Sequence, residues 1–112
     1  TSKAEGEPSA VIRERVMKAR GIQEQRFAEY SGIHCNAQMT SAMLRKYAYP
    51  NEEGLRVLKE SMTRLNLSAR AFDRILKVAR TIADLSGEPY ILVEHLHEAI
   101  SYRSLDRGFW GN

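Results

Sequence analysis

The chain has 112 residues, 43% of them hydrophobic, with 17 Lys plus Arg against 14 Asp plus Glu and a formal charge of +3. That is one domain, long enough to bury a core without disulfides, and its single cysteine, Cys35, excludes an intrachain bridge and points to a reducing cytosol. No apolar run approaches the ~20 residues that span a bilayer and the first residues hold no signal-peptide segment, so the expectation is a cytoplasmic protein without a membrane partner.

The chain lacks an initiator Met, which suggests a piece of a longer polypeptide, and residues 1–7 read as a flexible N-terminal segment. Pro8 and Ser9 open a helical pattern, since Ser caps free first-turn N–H groups and Pro needs none of its own. Ile12, Val16 and Ala19 recur at helical spacing. Beyond Gly21, Ile22, Phe27 and Tyr30 continue the pattern toward Ser31-Gly32, as one long helix or as the second of two short ones. Ile33 to Met39 reads as an irregular connection. Thr40 or Ser41 then caps a short helix through Met43, Leu44 and Tyr47, which Tyr49-Pro50 ends because proline disfavours helix in the residue before it.

Asn51 caps the next helix. Its Leu55, Leu58, Met62 and Leu65 alternate in steps of three and four as an apolar stripe facing a core, and Asn66, tolerant of the left-handed conformation, is the stop. Ser68 opens the strongest element, with Phe72, Ile75, Leu76, Ala79, Ile82 and Ala83 on one side as core and Arg70, Asp73, Arg74, Lys77, Arg80 and Asp84 on the other. Gly87 and Pro89 end it. Tyr90 to Val93 forms a short extended link before Glu94 begins a last helix through Leu96, Ala99 and Ile100. Residues 108–112 form a tail. No alternating strand pattern appears, so the fold class is all-α, a small domain of four or five helices.

The charge is concentrated. Between Arg64 and Arg80 stand five cations and one anion, a segment charge of +4 that leaves −1 for the rest of the chain. A run of this kind is ordinarily a solvated helix face, with Asp73–Lys77 and Arg80–Asp84 as i, i+4 pairs worth a few tenths of a kcal/mol each.

Several chemistries lack their residues. His34-Cys35 has no second pair at ligand spacing, and His95 and His97 at i, i+2 face different sides of a helix, so no metal site is expected. Cys35 reads as a small buried hydrophobe rather than a nucleophile. Glu52-Glu53 suits a helix first turn better than acid/base work. No phosphate-cradling G-x-x-x-x-G-K-[ST] or G-x-G-x-x-G occurs, so no catalytic residue is expected in this fragment and on its own it should be no enzyme. What remains is Arg70, in the first turn of the Ser68 helix, where free N–H groups and the positive dipole end favour an anion that a guanidinium can grip bidentately. Arg74 follows one turn on. A nucleotide triphosphate, a nucleic-acid backbone and an acidic neighbouring helix all fit such a helix start.

The run Leu67-Ser68-Ala69-Arg70-Ala71, the stretch from Arg74 to Leu85, and Glu94-His95-Leu96, Glu98-Ala99-Ile100 and Tyr102 to Arg107 closely resemble the C-terminal domain of magnesium-chelatase-like AAA+ ATPases of the ComM/YifB type. Pro8-Ser9 with Ile12 to Val16 resembles the entry to that domain, and the likeness is thinnest between Gly21 and Tyr49. The resemblance implies that residues 8–107 form an AAA+ helical lid, with Arg70 at the sensor-2 position that meets the γ-phosphate in cis or in trans. Arg74, Arg80 and Arg103 become secondary candidates for phosphate or inter-subunit contacts. It also implies ATP and magnesium as cofactors of the full-length protein, none of them bound tightly by this fragment. The implied partners are an N-terminal ATPase core of the same chain, a homo-oligomeric ring (hexamer) and DNA, because ComM-type proteins resemble DNA-translocating helicases of natural transformation. Chelatase subunits proper insert magnesium into a porphyrin, and the Tyr102 to Arg107 ending favours the first group. The Walker A, Walker B and arginine-finger modules of the family are absent from this stretch. Two alternatives stand beside the lid: a nucleic-acid-binding module using the Arg64–Arg80 basic face, and a structural oligomerisation domain.

Overall fold

A computed structural model describes residues 9–105, with side chains through residue 102. The N-terminal segment 1–7, Pro8, the tail 108–112, the Tyr102 to Arg107 ending beyond Leu105 and the side chain of Arg103 lie outside the described residues.

Five α-helices follow one another: α1 (Ser9–Arg26), α2 (Ser41–Tyr47), α3 (Glu52–Leu65), α4 (Ala69–Leu85) and α5 (Val93–Leu105), with one 3-10 turn at Asn36–Gln38 between α1 and α2. Among the described residues there is no strand. The domain is all-α, as its periodicity predicts.

The helix starts follow from their caps. Thr40 Oγ1 accepts from the Met43 N–H at 3.2 Å, Asn51 Oδ1 from Gly54 at 2.8 Å and Ser68 Oγ from Ala71 at 3.2 Å, each satisfying a donor that has no partner inside its helix. Asn66 ends α3 in the left-handed conformation, φ 56° and ψ 53°, with the Leu67 N–H returning to Met62 O. Gly87, at φ +74°, turns the chain after α4 so that the Glu88 N–H reaches Ala83 O at 2.8 Å. Replacing Ser68 by alanine should cost about 1 kcal/mol, read as a lowered urea midpoint with an unchanged slope. A midpoint equal to the wild type's would show that the cap does not hold α4.

α4 is the central element. It packs on α5, α1, α2 and the 3-10 turn, while α3 leans on α5. Leu44, Leu58, Ile75, Leu76 and Leu96 are buried completely between these helices, and Ala79, Ala83 and Ala99 let them approach. Ile82 and Ile100 join this core as expected, but Phe72 is only partly buried against it, as are Met62 and Leu65.

Other positions depart from the sequence reading. α1 is the single helix of the two alternatives and runs through Gly21, but it stops at Arg26, short of Tyr30, and Phe27 immediately after it is buried beside Tyr30 and Tyr47 in an edge-to-face trio with centroids 5.9 to 6.2 Å apart. In its first half the apolar stripe is incomplete: Ala19 is buried, whereas Ile12 and Val16 are exposed. Val93, expected in an extended link, already belongs to α5. There the His95 side chain reaches back, its Nδ1 accepting from the Leu92 N–H at 2.9 Å, which caps the helix one residue earlier than Glu94 would. Cys35 is exposed rather than buried.

Candidate functional site

Arg70 is the second residue of α4 and is exposed. Ser68 Oγ occupies the Ala71 N–H and Ser68 O the Phe72 N–H, so the amides of Ala69 and Arg70 itself are the first-turn donors left without helical acceptors. Among the described residues the Arg70 guanidinium has neither an ion pair nor a hydrogen bond. A cation held in solvent beside two free amides and a positive dipole end is an arrangement for an anion. Arg74, one turn on, is half-buried and engaged in an interaction of its own.

The first turn of α4 is braced from below. Ser41 Oγ, in the first turn of α2, donates to Asp73 Oδ2 at 3.2 Å, and beside them a cleft of about 380 Å³ opens between α2, α3 and α4, with Tyr49, Met62, Ala69 and Phe72 on its walls. Arg70 therefore stands on the exposed side of a turn that, beside it, exposes Ser68 and Ala69 and buries Ala71.

Arg80 corrects the expectation of a five-cation face. It is 3% exposed and points inward, where one amino group donates to Tyr47 O at 3.3 Å and Pro89 O at 3.1 Å, and the other donates to Glu88 O at 2.8 Å and pairs with Asp84 Oδ1 at 3.2 Å. Asp84, 2% exposed, is also gripped by Arg26 through two parallel bonds of 2.8 and 2.9 Å and accepts from Asn36 Nδ2 at 2.9 Å. Burial pushes the Arg80 guanidinium below its ordinary value; Asp84 opposes the shift and Arg26 adds to it. Arg80–Asp84 is thus no surface pair but part of a buried lock that joins the ends of α1 and α2, the 3-10 turn and the α4–α5 turn. In this arrangement the Arg80 guanidinium faces its own domain, with both amino groups engaged there. The remaining basic face consists of Arg64 and Arg70, both exposed, with Arg74 and Lys77 half-buried.

The sequence held a signal for Arg80. It stands four residues after Leu76 and three before Ala83, on the apolar side of α4. Arg26 and Asn36 carried no such signal, because they meet Asp84 across 58 and 48 residues of chain.

His95 is buried and His97 exposed, on different sides of α5 as their spacing predicts. Among the described residues no three His, Cys, Asp or Glu side chains come together, and no helix is long and apolar enough to cross a membrane.

Residues 6–103 match the protein family described as magnesium chelatase, subunit ChlI C-terminal. The chain is 42% identical over 102 residues to competence protein ComM of Haemophilus influenzae, covering 91% of this chain and 19% of that relative. It is 41% identical over 102 residues to the YifB protein of Escherichia coli K12, with the same coverage of each chain. Against the Rv2897c protein of Mycobacterium tuberculosis the identity is 33% over 102 residues, 91% of this chain and 20% of that one. The chain spans about a fifth of the length of the relatives it matches.

Proposed function

The chain belongs to the magnesium chelatase ChlI C-terminal family, that of the ComM- and YifB-like proteins, and from that premise we propose that it is the helical lid of an AAA+ ATPase, with Arg70 as its sensor-2 arginine. One observation carries the reading: Arg70 is an exposed guanidinium without an ion pair among the described residues, at the capped start of the helix that organises the domain. The first turn of α4 and Arg70 together suit the terminal phosphate of a nucleotide, whose charge they stabilise during transfer. ATP and magnesium are held in this reading by the ATPase core that the lid covers, Arg70 reaching the phosphate in cis or from the neighbouring subunit of a hexameric ring.

The packing supports a lid that moves as a body. Asp84 ties α1 to α4 and Arg80 ties α4 to the end of α2, so a change in what Arg70 meets is carried to the far side of the domain without bending α4. Loss of the γ-phosphate removes that contact and frees the lid. In the same reading the full-length protein is a motor that acts on DNA in the cytoplasm, in keeping with the similarity to a protein named for competence. The nucleic-acid alternative is weakened by the inward turn of Arg80, which removes one cation from its face.

In a full-length protein that joins this domain to its ATPase core, Arg70→Ala should reduce ATP turnover at least tenfold while leaving the melting temperature unchanged, because exposed substitutions usually move stability by no more than about 0.5 kcal/mol. Arg70→Lys should fall between, since an ammonium keeps the charge and loses the bidentate grip. Wild-type turnover in Arg70→Ala would sink the assignment.

A further inference from the structure

Away from the start of α4, helices α1, α4 and α5 enclose an open groove of about 890 Å³. Ile22, Val78, Ile82 and Leu85 supply apolar walls, and Arg15, Lys18 and Lys77 stand along it. The carboxylates of the groove are already committed: Asp84 to Arg26 and Arg80, and Glu98 to the Tyr102 hydroxyl, which donates to it at 2.7 Å. Lys18 and Lys77 have no ion-pair partner among the described residues. An occupant must therefore bring apolar side chains flanked by negative charge.

The same chain displays such a segment. From Glu88 to Glu94 the backbone leads from α4 into α5, with Ile91 turned inward at 6% exposure, while Tyr90 at 75% and Leu92 at 36% face solvent. Glu88 and Glu94 bracket them, both exposed and both without an ion-pair partner among the described residues. Backbone bonds at Glu88 N and Leu92 N hold the segment in shape before any partner arrives, which lowers the ordering cost of docking.

We propose that the Glu88–Glu94 segment of one copy docks in the α1/α4/α5 groove of a second copy, Tyr90 and Leu92 on the apolar walls and Glu88 and Glu94 against Lys18 and Lys77. The argument is charge complementarity between Lys18 and Lys77 on one surface and Glu88 and Glu94 on the other, four side chains without an ion-pair partner among the described residues. Groove and segment are different surfaces, so the contact is heterologous, the kind from which rings are built. Two apolar side chains make a small interface, and the isolated domain pairs weakly, with a dissociation constant on the order of 0.1 mM at low salt. The proposal stands apart from the ATPase reading. Lys77 lies seven residues along α4 from Arg70, about 10 Å at helical rise, so either can fail while the other stands.

Sedimentation equilibrium of the 112-residue chain, which carries its own core, is the test. The average mass should rise above that of the monomer with concentration at low salt, without a plateau at the dimer because every added copy leaves a groove and a segment free, and fall back at roughly 0.5 M salt, where charges farther apart than a few Å are screened. Tyr90→Ala should weaken pairing about tenfold. Two charge-reversed chains, Lys18→Glu/Lys77→Glu and Glu88→Lys/Glu94→Lys, should each be monomeric alone, since groove and segment then repel, and should associate when mixed. Circular dichroism of these surface variants confirms their fold. A wild-type chain that stays monomeric at every concentration overturns the proposal, and so does self-association that neither charge set nor Tyr90→Ala weakens.

Discussion

Replacing Asp84 by alanine is expected to lower the stability of the domain by about 3–5 kcal/mol, the usual cost of removing one partner from a buried ion pair. The carboxylate, itself buried, accepts from Arg26 twice and from Asn36 once and pairs with Arg80, all at 2.8 to 3.2 Å. Without it two guanidinium groups face each other across a cavity with no counter-charge, and Asn36 loses an acceptor. Small domains are stable by only about 5–15 kcal/mol, so the loss should be visible as a large drop in the urea midpoint. Adding Arg26→Met to Asp84→Ala should recover part of it, because the buried repulsion goes with the second charge. Arg80→Met should give no such recovery. Its amino groups also satisfy the carbonyls of Tyr47, Glu88 and Pro89, which an apolar side chain would leave bare. A midpoint for Asp84→Ala within error of the wild type would show that the lock contributes nothing.

The second large effect concerns two helical glycines that should respond with opposite sign. Gly54 lies in the first turn of α3 where that helix meets α5, and a Cβ built there stands 2.8 Å from Pro50 Cβ and 3.0 Å from Leu96 Cδ1. Pro50 is rigid and Leu96 fully buried, so neither gives way easily. Gly54→Val should cost about 3 kcal/mol through overpacking, well beyond what any residue gains in helix propensity over glycine. At Gly21, in the middle of α1, a Cβ meets nothing within 4 Å. Gly21→Ala should therefore raise stability by about 1 kcal/mol. Thermal melts of the two variants settle both signs, and stabilisation by Gly54→Val would contradict the close approach of α3 to α5.

These effects bear on the proposed lid through rigidity rather than through contact with nucleotide. A lid that reports the state of a phosphate must keep α4 fixed relative to α1 and α2. The Asp84 lock and the tight seat of Gly54 are the features that hold the helices in one arrangement, far from Arg70 along the chain.

The cap residues Asn51 and Ser68, a cap at Thr40 or Ser41, the left-handed stop at Asn66 and the apolar spacing of α3 and α4 were readable in the chain because each acts within about four residues of itself. Arg70 was readable for the same reason, since a first-turn position and its chemistry are local properties. The single span of α1 across Gly21 was not, because whether a glycine ends a helix or merely weakens it depends on what packs against either half. His95 was legible as a residue on one side of α5 but not as the group that starts the helix. The exposure of Cys35 and the half-burial of Phe72 likewise depend on neighbours that arrive from elsewhere in the chain.

By itself the sequence determined an all-α domain, the starts of α3 and α4 and an arginine at the head of the central helix. Only the tertiary structure decided what the buried cation meets. Arg80 shares its charge and its helix with Arg70, and periodicity along one helix cannot say that Asp84 is already held by Arg26 from 58 residues away, nor that three carbonyls converge on Arg80 from other elements. A buried charge is stable only where distant partners meet it, and that meeting is a property of the packed domain.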